Sequence, residues 1–296
     1  NRLTDGTHPL TARVLVNRYW LQHFGHGIVD TLSDMGKLGE LPSHPELLDW
    51  LATDFMRNGW KLKRLHKLIM TSRAYQQTSR RNAKLDEIDP DNRLLGRMNV
   101  RRMEAEIIRD TILALSGRLN RELYGKPVPV MEDEVGQFVI GKENLDGERK
   151  PGKTVDLKGG QNRRSLYVQV RRSRILSLFD TFDAPTMTPN CAKRPVSTVA
   201  PQALIFMNNQ FVVDQSRIMA ERLQKLAGKD LDGQLAAGWE LTFGQVATKT
   251  ELTRARDFVQ KQAALFKEKK DKQSELTALA NYCQALLSAN RLIYLD

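Results

Sequence analysis

The chain has 296 residues, 41% of them hydrophobic and 27% charged, with 46 Lys and Arg against 35 Asp and Glu for a formal charge of +11. This is the composition of a globular chain with one large or two small cores, not of a disordered one. The longest purely apolar runs, such as Ala203-Leu204-Ile205-Phe206-Met207, fall far short of the roughly 20 residues that span a bilayer, so no membrane crossing is expected. The positive surplus suits nucleic acid, an anionic polysaccharide or an acidic membrane surface. Against nucleic acid, the basic residues are spread along the chain, with no zinc-finger spacing, RNP-type strand or basic zipper. The chain opens on Asn1 with no signal-like region and reads as part of something longer. Cys191 and Cys283 form neither a CxxC nor a CxxCH pair, leaving one disulfide or two free thiols open.

Taken in order, the pattern predicts a mainly α fold: a multi-helix body with a small β element inserted in the middle. Pro9 opens a first helix whose apolar set Leu10, Val14, Leu21 and Phe24 recurs at helical spacing up to Gly25. A second starts with a capping box at Ser43 and Glu46 and closes at Gly59; a third runs from Leu62 to about Tyr75. After a charged stretch at 80–91, a fourth carries Met103, Ile107, Ile108 and Leu115, with Arg102 and Glu106 spaced as a surface pair. Val128 to Val130 and Phe138 to Ile140 read as short strands, 141–161 as an exposed loop, and Ser165 to Val170 as an alternating strand framed by arginines. A helix from about Val199 to Leu226 follows, capped by Ser197 or Thr198 and stopped by Gly228. A second capping box at Thr248 and Glu251 opens another, and a last helix passes through Leu276, Cys283 and Leu287. The expected organisation is one domain, helical over 1–121, β and loop over about 122–181, and helical again over about 197–296.

The candidates for chemistry are few. His23 and His26 form an H-x-x-H, but two imidazoles fall short of a metal site and no third ligand stands nearby in sequence, so no metal is assigned. Arg13 and Asn17 interrupt an apolar helix and must be paired if buried, either as a ligand-anchoring face or as a structural network. The segment from Asp183 to Thr198, rich in Pro, Asn and hydroxyls, runs into a helix N-terminus. Free N–H groups after Ser197 and Thr198, together with Arg194, suit an anion. The competing reading is a braced loop in which Asp183 and Arg194 pair with each other, and in either case the loop is expected to fold back near Arg13 and Asn17. There is no GxSxG, P-loop, GxGxxG or HExxH.

Several blocks carry a family resemblance: His8-Pro9-Leu10-Thr11-Ala12-Arg13, Asn17-Arg18-Tyr19-Trp20, Pro42-Ser43-His44-Pro45-Glu46-Leu47-Leu48-Asp49-Trp50, Arg102-Met103-Glu104-Ala105-Glu106, Phe182-Asp183-Ala184-Pro185 and Ser197-Thr198-Val199-Ala200-Pro201-Gln202-Ala203-Leu204. In this order they resemble the planctomycete-type domain of unknown function DUF1553. The resemblance implies an exported protein in which this domain follows a second uncharacterised domain, often behind a cytochrome c domain. No cofactor is expected in this chain, and haem c would belong to a missing upstream domain. The partners implied are the preceding domain of the same polypeptide and, from the charge, an acidic polysaccharide. The resemblance brings no catalytic residues. Two functions follow: a structural or ligand-binding module, or an enzyme domain acting on polysaccharide in a haem-linked system.

Overall fold

The computed structural model describes residues 8–141, 157–185, 191 and 193–295. The chain forms two compact units, Asn1–Arg101 and Arg102–Leu295. Helices dominate both, as the periodicity predicts. Strands β2 (Val130–Glu132) and β3 (Phe138–Ile140) form an antiparallel hairpin in register Val130 to Ile140; two-residue strands β1 (Arg101–Arg102) and β4 (Tyr294–Leu295) lie outside the expected β region.

In the first unit, α1 (Thr11–Phe24) packs on α2 (Pro45–Arg57) and α3 (Leu62–Met70) around Val16, Trp20, Phe24, Leu51, Phe55 and Ile69. Gly25 ends α1 with φ +82°, its N–H returning to the Leu21 carbonyl. The capping box expected at Ser43 is replaced by a start at Pro45 behind His44. The Ser43 N–H and hydroxyl both turn to the Ile28 carbonyl, so they are spent on the preceding loop. The third helix stops at Met70 rather than Tyr75, because the Thr71 and Ser72 hydroxyls take the carbonyls of Lys67 and Ile69. Inside the charged stretch, Asn82 caps a short helix, α4 (Ala83–Ile88), by accepting from the Lys84 N–H.

In the second unit, α11 (Ser274–Leu287) lies along α8 (Gln210–Ala227) and α10 (Lys249–Glu268), while α9 (Leu231–Phe243) and α5 (Ala105–Ser116) each pack on α8. Their shared core includes Ile112, Met219, Leu223, Leu235, Leu279 and Leu287. Gly238 allows the close approach of α9: a Cβ there would stand 2.9 Å from Leu223 and 3.2 Å from the Tyr282 ring, whose hydroxyl donates to the Leu235 carbonyl at 2.9 Å. The capping box at Thr248 and Glu251 forms with both reciprocal bonds.

Three elements of this unit differ from the pattern. The long helix expected from Val199 is two helices, α7 (Ala200–Asn208) and α8, because Asn209 is extended and its side chain caps the Phe211 N–H; Val199, not Ser197 or Thr198, stands at the start of α7. The alternating run at Ser165 is a 3-10 turn, Ser165–Tyr167, with one parallel bridge from Val168 to Val128. Side chains of α5 fix the start of the run and the residues before it: Asp110 accepts from the Ser165 N–H at 2.7 Å and Arg109 donates to the carbonyls of Gln161 and Arg163. Of the expected 141–161 loop, 142–156 lies outside the described residues; Gly160–Asn162 is a 3-10 turn. Two short helices, α6 (Ser177–Thr181) and α12 (Asn290–Ile293), complete the unit.

Candidate functional site

The described part of the Asp183 segment is fixed by a polar network within the second unit. Asp183 holds a left-handed backbone at φ +59°, which Asp tolerates better than most residues. Its Oδ1 accepts from the Ser197 hydroxyl at 2.8 Å, and its Oδ2 from the Ser197 N–H at 2.8 Å and Arg102 Nη2 at 2.5 Å. The carboxylate therefore ties the Ser197 N–H and hydroxyl to Arg102 just before the start of α7. Arg102 is 4% exposed at its side chain and lies over the Phe182 ring. Its Nε and Nη1 have no partner among the described residues.

Arg194 does not pair with Asp183. Its guanidinium makes a fork to Glu106 at 2.7 and 3.1 Å, with Glu104 at 3.5 Å. Burial pushes the Glu106 carboxyl up, but the bond from Arg194, a backbone N–H and the Arg194 charge together outweigh it, and the group lies below the usual carboxylate range. Arg102 and Glu106 are thus not a surface pair on one helix: each reaches across to the 183–197 segment. Thr198 meets the Tyr294 hydroxyl at 3.4 Å. Residues 186–190 and 192 lie outside the described residues.

Arg13 and Asn17, expected near this loop, are satisfied inside the first unit. Asn17 is 1% exposed, accepting from the Val29 N–H at 3.0 Å and donating to the Val29 carbonyl at 2.8 Å. Gly27 is needed beside it, because a Cβ there would lie 2.3 Å from the Val29 oxygen. Arg13 donates to Asp49 at 2.5 Å and to the Pro9 carbonyl. Of the two histidines in the H-x-x-H, His23 meets His66 of α3 (Nε2 to Nδ1, 2.8 Å) and His26 lies 3.8 Å from Asp30. Among the described residues there is no group of three or more His, Cys, Asp and Glu able to hold a metal. Cys191 and Cys283 are free thiols; burial pushes the Cys283 thiol far up.

The network braces α7 from one side. Gln202 of α7 is buried and donates to the carbonyls of Thr181 and Ser197, and Phe206 packs on Phe182 with ring centroids 5.5 Å apart. A family model described as a protein of unknown function (PSD1, DUF1553) matches residues 1–259. The chain belongs to the DUF1553 family. No curated protein and no solved structure matches it.

The outer side of α7 in this DUF1553 chain is apolar as well, but exposed. Leu204 is 52% and Met207 64% exposed, beside Ala200 and Ala203 on the same face and Val196 and Val199 leading in. No residue from Pro195 to Val213 is charged. Sequence reading placed the site in the hydroxyls and charges before the helix and missed this face. The available signal was an Ala203 to Met207 run with no polar side, in a chain where surface helices otherwise carry charge.

Proposed function

We infer that the chain is a structural and ligand-binding module that packs by the outer face of α7 on the preceding domain of the same exported, cytochrome-c-linked polypeptide. The observation that carries this reading is the uncharged apolar face of α7, held rigid from behind by the Arg102, Asp183 and Ser197 network and left open in front. An apolar helix face of this kind marks an interaction surface. A helix that is apolar on all sides is stable when both sides are covered. The Asp183 segment then serves as a brace, since Asp183 holds Ser197 and Arg102 while Glu106 of α5 holds Arg194. The surplus of positive charge suits the module to an acidic partner as well, and the acidic polysaccharide expected from composition is one such class.

The test is direct binding between the separately produced preceding domain and this chain. Completing the burial of half-exposed Leu204 and Met207 is worth about 1 to 1.5 kcal/mol each. The paired change Leu204→Asp and Met207→Asp should therefore weaken association by at least about thirtyfold. Equal affinity in the variant would remove α7 from the interface and the reading with it.

A further inference from the structure

Positive charge that is scattered in sequence is brought together by the fold where two stretches of the second unit pair. The stretches 117–129 and 157–176 carry nine Lys and Arg against one acidic residue, Glu122. Backbone bonds place them side by side: Asn120 N–H to the Asn162 carbonyl at 2.9 Å, Val128 N–H to Tyr167 at 2.7 Å, and Gln169 N–H to Val128 at 2.8 Å. Lys158, Arg163 and Arg174 have interactions of their own. Six cations remain exposed: Arg118, Arg121 and Lys126 on one stretch, Arg164, Arg171 and Arg172 on the other, with Arg164 at 3.8 Å from Asp110.

Apolar side chains stand out among these charges. Leu123 is 59% exposed, Tyr124 82%, Leu166 71% and Val170 71%. Tyr124 sits at a turn tip in a left-handed backbone, φ +65°, followed by Gly125 at +91°. A bulky residue there is strained. The turn is held by the buried Arg163, which donates to the carbonyls of Tyr124 and Lys126, and by the Tyr167 hydroxyl, which accepts from the Tyr124 N–H at 2.9 Å. A buried guanidinium thus fixes a strained turn whose aromatic ring is in solvent, an arrangement that folding alone does not call for.

We propose that this surface docks on an anionic lipid bilayer, with Tyr124, Leu123 and Leu166 entering the headgroup region and the six cations meeting lipid phosphates. It refines the binding-module reading by assigning the acidic partner. A soluble acidic polysaccharide accounts for the cations but leaves the exposed Leu, Val and Tyr unexplained, whereas a charged bilayer surface accounts for both. Single-stranded nucleic acid would need a series of open rings for stacking, and the Tyr167 ring is covered by the Arg163 guanidinium at 3.9 Å.

The experiment is co-sedimentation of the chain with phosphatidylglycerol-containing vesicles, pure phosphatidylcholine vesicles as control, and a sulfated polysaccharide in a parallel assay. Binding to the anionic vesicles alone is expected, falling as salt shortens the Debye length. Arg171→Gln with Arg172→Gln should weaken it roughly thirtyfold, the equivalent of two cations at about 1 kcal/mol each, and flatten the salt dependence. Tyr124→Asn keeps a residue that tolerates the left-handed turn. It should weaken binding several-fold with the salt slope unchanged. No sedimentation at low salt, or variants equal to the parent, overturns the proposal. Polysaccharide binding without vesicle binding overturns the lipid assignment while leaving the module reading in place; binding to neither, with α7 still docking on the preceding domain, ends the acidic-partner reading altogether.

Discussion

Asp183→Ala should be the most damaging single polar substitution in the second unit. It deletes three accepted hydrogen bonds and leaves Arg102, 4% exposed, with the Phe182 ring and, among the described residues, one long side-chain hydrogen bond, 3.4 Å to the Phe182 carbonyl. Removing one partner of a buried ion pair costs about 3 to 5 kcal/mol, because the remaining charge is desolvated without compensation. For a unit of this size each kcal/mol shifts the midpoint by about 2 to 4 °C, so a loss of about 6 to 20 °C is expected. Asp183→Asn tolerates the left-handed backbone and keeps one acceptor, so it should lose less. Pairing it with Arg102→Met should be milder than the sum of the two single changes, since no orphan charge is left. Urea titration followed by amide exchange in α5 and α7 isolates the second unit. A loss below about 1 kcal/mol for Asp183→Ala would refute the claim that this network braces α7.

Three further outcomes follow from individual contacts. Burial, with His66 and Arg101 adding to it, holds His23 below its ordinary value, so the fold favours the neutral ring. The stability of the first unit should be full above pH about 6.5 and fall as pH drops through the lowered value; His23→Gln should flatten that dependence in a pH series of thermal melts. Thr248→Ala should cost about 1 kcal/mol by removing the formed capping box, read by urea titration, whereas Ser43→Ala should not reproduce a capping loss. In a thiol-reagent time course on native protein, Cys191 should react and the buried Cys283 should wait for unfolding; equal rates would contradict the placement of Cys283 in the α11 core.

The parts of the fold that were legible in the sequence are those decided within one turn of chain. The Thr248 box, the Gly25 stop and the apolar stripes of α1, α2 and α11 need only neighbours three or four residues away. What was not legible depended on long-range partners. Ser165 to Val170 alternates like a strand, but Asp110 on α5 takes its first N–H and Arg109 the Arg163 carbonyl just before it, and nothing in the run itself announces them. Arg102 and Glu106 have ideal helical spacing for each other, yet the chain brings Asp183 and Arg194 closer. Ser43 has the right spacing from Glu46, yet its hydroxyl is drawn to a carbonyl fifteen residues back. The break at Asn209 did leave a signal, an Asn pair in front of a fresh apolar turn, which the unbroken hydrophobic pattern masked. The same holds for charge: basic residues that look dispersed along the chain are brought together by the pairing of two distant stretches.

The docking of α7 is tested most directly by the oxidation of Met207. In this chain the residue is 64% exposed, and Met70, 46% exposed in the first unit, supplies an internal reference. Dilute peroxide applied to the isolated chain and to the intact parent polypeptide, with sulfoxide followed by mass spectrometry, compares the same thioether with and without the preceding domain. If α7 is the docking face, Met207 should oxidise at least about tenfold more slowly in the intact polypeptide while Met70 keeps its ratio to an exposed reference peptide. Equal rates at Met207 in the two proteins would mean that the face stays open, contradicting the account.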